Sequence, residues 1–370
     1  MTEEFLGLVI LLIIWGTPFS GAQVCDYQSK TNTYVCEKVI YQFPNMYYGK
    51  FNLKCEDCQI KKFTNDTFPY ENLLVSFNIS DSGIQNLGPK SFSYFENLEY
   101  LFLDHNDIRN IQPETFVNLK KLFELHLEFN SLEIVRPHTF RGMSSSTVNV
   151  SYNFITNLTD NTFKYSTGLL SLDISHNNIS YLEANSLRGL EDLEVLNLNG
   201  NNICYLPLGL FKWTKALQHL NLANNKLQTL EYGSFSGLRS LKYLSLAQNI
   251  FNIFESGPLL STRALITLDI SGNGLSMFSP SELYTDVPSL KVLYFEDNIF
   301  TCEQLKDVIR FLREKSIQTE NNILRLEMLN IDGIACVNGI PFGLFGRKDI
   351  PLDTFLRNSS NQAKNLRNCN

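Results

Sequence analysis

The chain has 370 residues, 44% apolar and 19% charged, with a net charge of −7. An acidic balance argues against a general nucleic-acid role, which carries a basic footprint. Length alone suggests about two or three domains, a prior that fails if the chain is a repeat array.

The first element is "FLGLVILLIIWG", an apolar run of 12 residues, right for a secretory signal and short for a membrane span. Ser20 and Ala22 are the small residues expected before a cleavage site, so residues 1–22 are read as a signal peptide. The "MTEE" start lacks the usual Lys or Arg. No later apolar run spans a bilayer and no apolar tail marks a lipid anchor, so a secreted protein without a stable membrane anchor is expected. Six N-x-S/T sequons, at Asn65, Asn78, Asn149, Asn157, Asn178 and Asn358, predict a glycosylated surface. The eight cysteines then sit in an oxidising compartment and are expected to be mostly paired.

Next comes "VCDYQSKTNTYVC", which alternates about a polar turn and reads as a hairpin within an N-terminal cap, residues 23–49. Residues 50–300 then repeat themselves. Asn106, Asn130, Asn153, Asn177, Asn201, Asn225, Asn249, Asn273 and Asn298 fall at steps of 24, with one 23 and one 25. Stepping back reaches Ser82 and Cys58, giving 11 registers. An L-x-L core precedes each mark, as in Leu101/Leu103 and Leu125/Leu127, and a Phe or Leu follows ten residues after, as in Phe116 and Phe140.

This pattern, L-x-x-L-x-L-x-x-N/C-x-L, resembles the 24-residue class of animal extracellular leucine-rich repeat proteins. The resemblance implies an α/β repeat solenoid: a horseshoe of about 11 repeats with a parallel concave sheet and disulfide caps at both ends. It also implies a recognition role, as in innate immunity or cell adhesion. In such a coil the leucines of each short strand point inward and the intervening residues outward. The Asn turns the chain and satisfies backbone groups that would otherwise be buried unpaired. No coil buries its core alone, so the array stands on neighbour contacts.

Open solenoid ends need caps. Cys25 and Cys36 are expected to close the N-terminal hairpin. Beyond the last mark, "TCEQLKDVIRFL" has Leu305, Val308, Ile309 and Leu312 at helical spacing, with Thr301 and Gln304 as a capping box. Cys302 is paired with Cys336 in this reading, which makes residues 301–336 a C-terminal cap and 337–370 a loose tail. The caps resemble those of arthropod secreted and Toll-like leucine-rich repeat proteins. "CEDC" at 55–58 looks like a redox or zinc pair, but Cys55 takes an inward leucine position and Cys58 the Asn position, so a structural role is expected. Whether those two pair with each other stays open. So does the fate of Cys204 and Cys369, which can pair together or leave Cys369 to link a partner chain.

Catalytic signatures are missing: no H-E-x-x-H, G-x-S-x-G or G-x-x-x-x-G-K-[ST] occurs, and "GSFSG" at 233–237 only mimics an elbow around core Phe235. No enzyme, cofactor or metal role is expected. His105, His126, His176 and His219 fall on strand-face positions and are candidates for a pH-sensitive binding face. The column before each mark reads Asp57, Asp81, His105, Phe129, Tyr152, His176, Gly200, Asn224, Gln248, Gly272, Asp297, with four ring-bearing residues in succession. Together with Tyr100, Phe102, Asp104, Glu124, His126 and Glu128 they form the expected protein- or glycan-binding patch. Asn78 and Asn149 flank Phe102 and His126 in one column, so glycans there would frame the patch. The sequon-free later repeats, with Val195, Asn197, His219, Asn221, Tyr243 and Tyr294, are a rival surface. The alternative role is a matrix or adhesion component without a discrete ligand site.

Overall fold

The protein was analysed as a computed structural model, which describes residues 25–43, 47, 49–68, 73–143, 146–319, 330–332 and 334–336. The expected signal peptide, the tail, Asn358 and Cys369 lie outside these residues. A single 13-stranded sheet runs the length of the molecule. Its first two strands, Cys25–Gln28 and Thr33–Glu37, form an antiparallel hairpin. Eleven parallel strands follow, from Lys50–Glu56 to Val292–Tyr294. Successive strands pair in a register set by the repeat: Tyr100, Leu101 and Phe102 face Glu124, Leu125 and His126. The central apolar residue of each strand, leucine in most and Phe77 or Val148 in two, is buried and its two neighbours lie on the strand face, as a period of two requires.

A ladder of asparagines binds coil to coil. Asn130 is 4% exposed. Its amide nitrogen donates to the carbonyls of Leu103, Leu127 and Glu128 at 2.9–3.3 Å, and its oxygen accepts from the Ile108 N–H at 3.0 Å. Asn106, Asn153, Asn177, Asn201, Asn225, Asn249, Asn273 and Asn298 repeat the scheme. One side chain thus serves backbone groups of two coils that no water reaches. At Cys58 the ladder is interrupted: its sulfur lies 3.6–3.9 Å from the Glu56 and Cys36 carbonyls and is bonded to Cys55.

The residue before each ladder position is left-handed. From Asp57 (φ 52°) through Asp297 (φ 54°), all eleven have positive φ. Asp, Asn and Gly tolerate this conformation, whereas a bulky ring there is an outlier.

The core is one continuous apolar cluster. On the convex side Phe116, Phe140 and Phe163 stack in parallel with centroids 6.2–6.3 Å apart. Rings on the opposite, strand-side edge lie 4.4–4.5 Å apart. That difference in spacing is the curvature of the horseshoe. Convex segments are mostly turns and two-residue strand pairs, such as Asn86–Leu87 with Asn110–Ile111. Helix enters late: α1 (Pro280–Asp286) and the cap helix α2 (Cys302–Glu314). The α/β character is therefore concentrated at the C-terminal end.

Both ends are closed by disulfides, Cys25–Cys36 and Cys302–Cys336. The N-terminal hairpin covers its end with Tyr34 and Tyr47 set against Phe51. Helix α2 carries the expected capping box of Thr301 and Gln304 and buries Leu305, Val308, Ile309 and Leu312. Cys55 and Cys58 are joined to each other, which fits their buried, structural position. Cys204 is also disulfide-bonded. Phe235, the centre of the mock elbow, is fully buried.

Candidate functional site: an acid–aromatic strand face

The four ring-bearing residues do stack. His105 and Phe129 lie 4.5 Å apart, Phe129 and Tyr152 4.5 Å, and Tyr152 and His176 4.4 Å, with planes within 10–21° of parallel. Phe129 is 44% exposed and Tyr152 45%. Because Phe129 and Tyr152 are each stacked on both faces, these two rings present their edges to solvent, whereas His105 has a ring on one face only. The column ends at Gly200, where His176 lies over the glycine: a Cβ there would meet its Nδ1 at 2.7 Å. Asn199 Nδ2 holds the far side of that imidazole, 3.2 Å from Nε2.

All four rings sit at φ 51–54°. The scaffold accepts Asp, Asn and Gly at the same position elsewhere, so nothing in the coil demands a ring. Stacking between neighbours offsets the backbone strain, each pair contributing about 0.5–1.5 kcal/mol.

A second stack lies one column over, where Phe102 and His126 are 4.8 Å apart. Strand register places Asn78, Phe102, His126 and Asn149 side by side, so the two sequons flank this pair as expected. Tyr100 sits edge-on to Phe123 at 6.2 Å, and Phe123, 49% exposed, is a display residue that the sequence reading missed.

Carboxylates thread between the rings. His105 Nδ1 is 3.0 Å from Asp104, whose other oxygen accepts from the Ser80 hydroxyl at 2.7 Å. His126 is gripped on both sides, Nδ1 by Glu128 at 3.0 Å and Nε2 by Glu124 at 3.4 Å. The pKa of His105 is raised above its ordinary 6.5, first by its hydrogen bond to Asp104. That of His126 is raised too, first by the bond to Glu128 and against the opposing effect of burial. The signal for this clamp was the alternation in "ELHLE": three charged residues on one strand face. The like-charge cost between Asp104 and Glu128 is thus met partly from within the chain. Yet Glu128 Oε2 is buried and has no hydrogen-bond partner.

The charge pattern extends along the face beyond the first parallel strand, which carries Lys54 in the Asn78 column. Consider the two outward strand positions and the two turn positions after them, from Ser76 to Asp297. Near the rings they carry Asp81, Asp104, Glu124 and Glu128, midway Asp173, and at the far end Asp269, Glu296 and Asp297. They carry no Lys or Arg. At the far end, burial and then Asp269 and Asp297 push the Glu296 carboxyl up. Burial and Asp269 likewise push up the Tyr243 hydroxyl. The rival later surface is looser, with His219 and Tyr243 6.2 Å apart. His138 stacks instead on Tyr165 at 3.9 Å, away from this face. No group of metal-ligating side chains is found among the described residues.

Curved parallel sheet, asparagine ladder and capped ends define a leucine-rich repeat solenoid. Leucine rich repeat models match residues 72–132, 102–148, 146–203, 205–251 and 264–285. The chain belongs to the leucine-rich repeat family. A search of curated proteins finds no match. Among solved structures, a chain in the octameric complex of Latrophilin 3 (Lec, Olf), Unc5D (Ig, Ig2, TSP1) and FLRT2 (LRR) is similar at TM-score 0.65 and 21% identity, covering 85% of this chain and 99% of that one. A chain of the TLR13–ssRNA13 complex is similar at TM-score 0.54 and 23% identity, over 68% of this chain and 44% of that one. One from the Toll–Spatzle complex of Drosophila gives 0.52 and 23%, over 68% and 36%. The chain therefore spans less than half the length of the TLR13 and Toll chains it matches. Identities this low establish the fold alone. Among the described residues, no helix is long and apolar enough to cross a membrane.

Proposed function

We propose that this chain is a secreted, glycosylated recognition module that binds a protein through the strand face centred on Phe129 and Tyr152. One observation carries the reading: two bulky rings held at positive φ, half exposed, where the repeat outside the ring column uses Asp, Asn, Gln or Gly. Strain kept at a surface position without a scaffold reason points to function. Exposed Tyr and Phe clusters beside charges are the material of protein–protein hot spots. A glycan is the weaker ligand, because a sugar stacks on ring faces and these faces are taken. Polyanions, RNA included, are disfavoured by the carboxylates. The solved neighbours, found in complexes with ssRNA13, Spatzle, Latrophilin 3 and Unc5D, support a binding rather than a catalytic role and leave the ligand open. An innate-immune setting is the role we favour over a purely structural one.

The test is site-specific cross-linking. A photoreactive phenylalanine analogue at Tyr152 is compared with the same group at convex Tyr165, in the protein's native fluid. The expected result is one protein adduct from Tyr152 and none from Tyr165. Phe129→Ala should then weaken affinity for that isolated partner by about tenfold. Equal adducts from both positions, or unchanged affinity, would refute the reading.

A further inference from the structure

We propose that the partner presents a cationic segment to this face, and that Glu128 is the carboxylate that receives its guanidinium or ammonium group. The proposal rests on the protein-recognition reading and specifies the partner's chemistry.

The first support is charge complementarity over the sheet face from Ser76 to Asp297; Lys54, beside Asn78 on the strand before, is paired with Glu56. Acids stand at both ends and in the middle of the four display columns, with no Lys or Arg among them from Ser76 to Asp297. Such a surface steers a basic segment and repels an acidic one.

The second support is unequal satisfaction of the acids. Asp104 has a donor on each oxygen, Ser80 on one and His105 on the other. Asp269 has Ser271 on one oxygen and Ser245 on the other. Glu296 accepts the Phe295 N–H. Glu128 accepts from His126 on Oε1 only, while Oε2 is covered and unpaired. A covered carboxylate oxygen without a donor is costly, and turning it to an incoming cation removes that cost. The His126 ring, bonded to this carboxylate, stacks on Phe102. Arginine fits best, since its planar fork pairs with a carboxylate.

The probe is a fluorescent nona-arginine peptide, with nona-glutamate as the control, followed by anisotropy at low and physiological salt. The protein with native Glu128 is compared with Glu128→Gln and with Asp192→Asn, an exposed acid outside the four display columns. Binding of the arginine peptide alone is expected, with about tenfold loss in Glu128→Gln. Asp192→Asn should stay within about twofold, as a solvated surface charge does. The glutamine amide still accepts from His126 but sets an NH2 group where Oε2 was covered, so a modestly lower melting temperature is expected and binding is compared well below it. Equal binding by parent and Glu128→Gln, or equal loss in both variants, would each overturn the proposal. If Phe129→Ala weakens the cross-linked partner while Glu128→Gln does not, ring recognition stands and the cation anchor fails.

Discussion

Replacing Phe129 by Asn separates display from scaffold. The ring sits at φ 54° and stacks on His105 and Tyr152, each 4.5 Å away. Relieving a left-handed ring residue with Asn, which visits this region readily, gains about 1–2 kcal/mol. Losing two half-exposed stacks costs about 0.5–1.5 kcal/mol each. The two effects largely cancel, so Phe129→Asn should change unfolding stability by less than about 2 kcal/mol. Its neighbour supplies the contrast. Asn130→Ala strands the Ile108 N–H in the core, at about 1–3 kcal/mol, and takes one of two donors from the Leu103, Leu127 and Glu128 carbonyls, which keep Asn106, Asn153 and the His105 N–H. It should therefore cost about 2 kcal/mol or more. Urea unfolding followed by far-UV circular dichroism compares the two through their midpoints at unchanged slope. A loss above about 3 kcal/mol in Phe129→Asn would show that the ring holds the coils together, and the display argument would collapse.

Three other outcomes follow from the same geometry. Both raised histidines contribute stability that is full below their ordinary value of 6.5 and fades as pH rises through their higher folded values, so midpoints should fall slightly between weakly acidic and weakly basic pH. Arginine-peptide binding should run the opposite way, weakening on acidification as His105 and His126 charge beside Asp81, Asp104, Glu124 and Glu128; a flat binding profile would contradict it. Asn149 stands in register beside His126, so a glycan carried there would crowd the patch; Asn149→Gln should then strengthen partner binding, with intact mass reading the glycan's presence and loss. Removing Cys302–Cys336 by Ala substitution frees a loop of 34 residues and should cost about 4 kcal/mol, read as a lower melting temperature with early exposure of α2 to protease.

The fold was legible because a repeat states its register eleven times over. Leu101, Asn106 and Phe116 each had equivalents 24 residues on, so their burial followed from period alone. The same register put His105, Phe129, Tyr152 and His176 in one column, and the stack confirms it. What the letters did not carry was backbone sign and side-chain aim. Nothing in "HN", "FN" or "YN" says that the first residue is left-handed. The covered faces of the rings, which weaken the glycan reading, depend on that conformation. The clamp on His126 was visible as alternation in "ELHLE" and overlooked because Glu124 and Glu128 were judged by column rather than along their own strand. The unpaired oxygen of Glu128 is a three-dimensional fact with no sequence signature.

Each coil passes through one left-handed residue just before its ladder position, and that residue joins the next coil through its backbone while its side chain stays out of the apolar core. Such a slot is free to vary in descent. Substitution there rewrites the surface while the 24-residue frame, its leucines and its ladder stay intact. Duplication of a coil adds one slot without disturbing those already present. A lineage built this way can exchange binding partners by drift along a single column, and related chains should diverge fastest there while keeping the asparagine beside it.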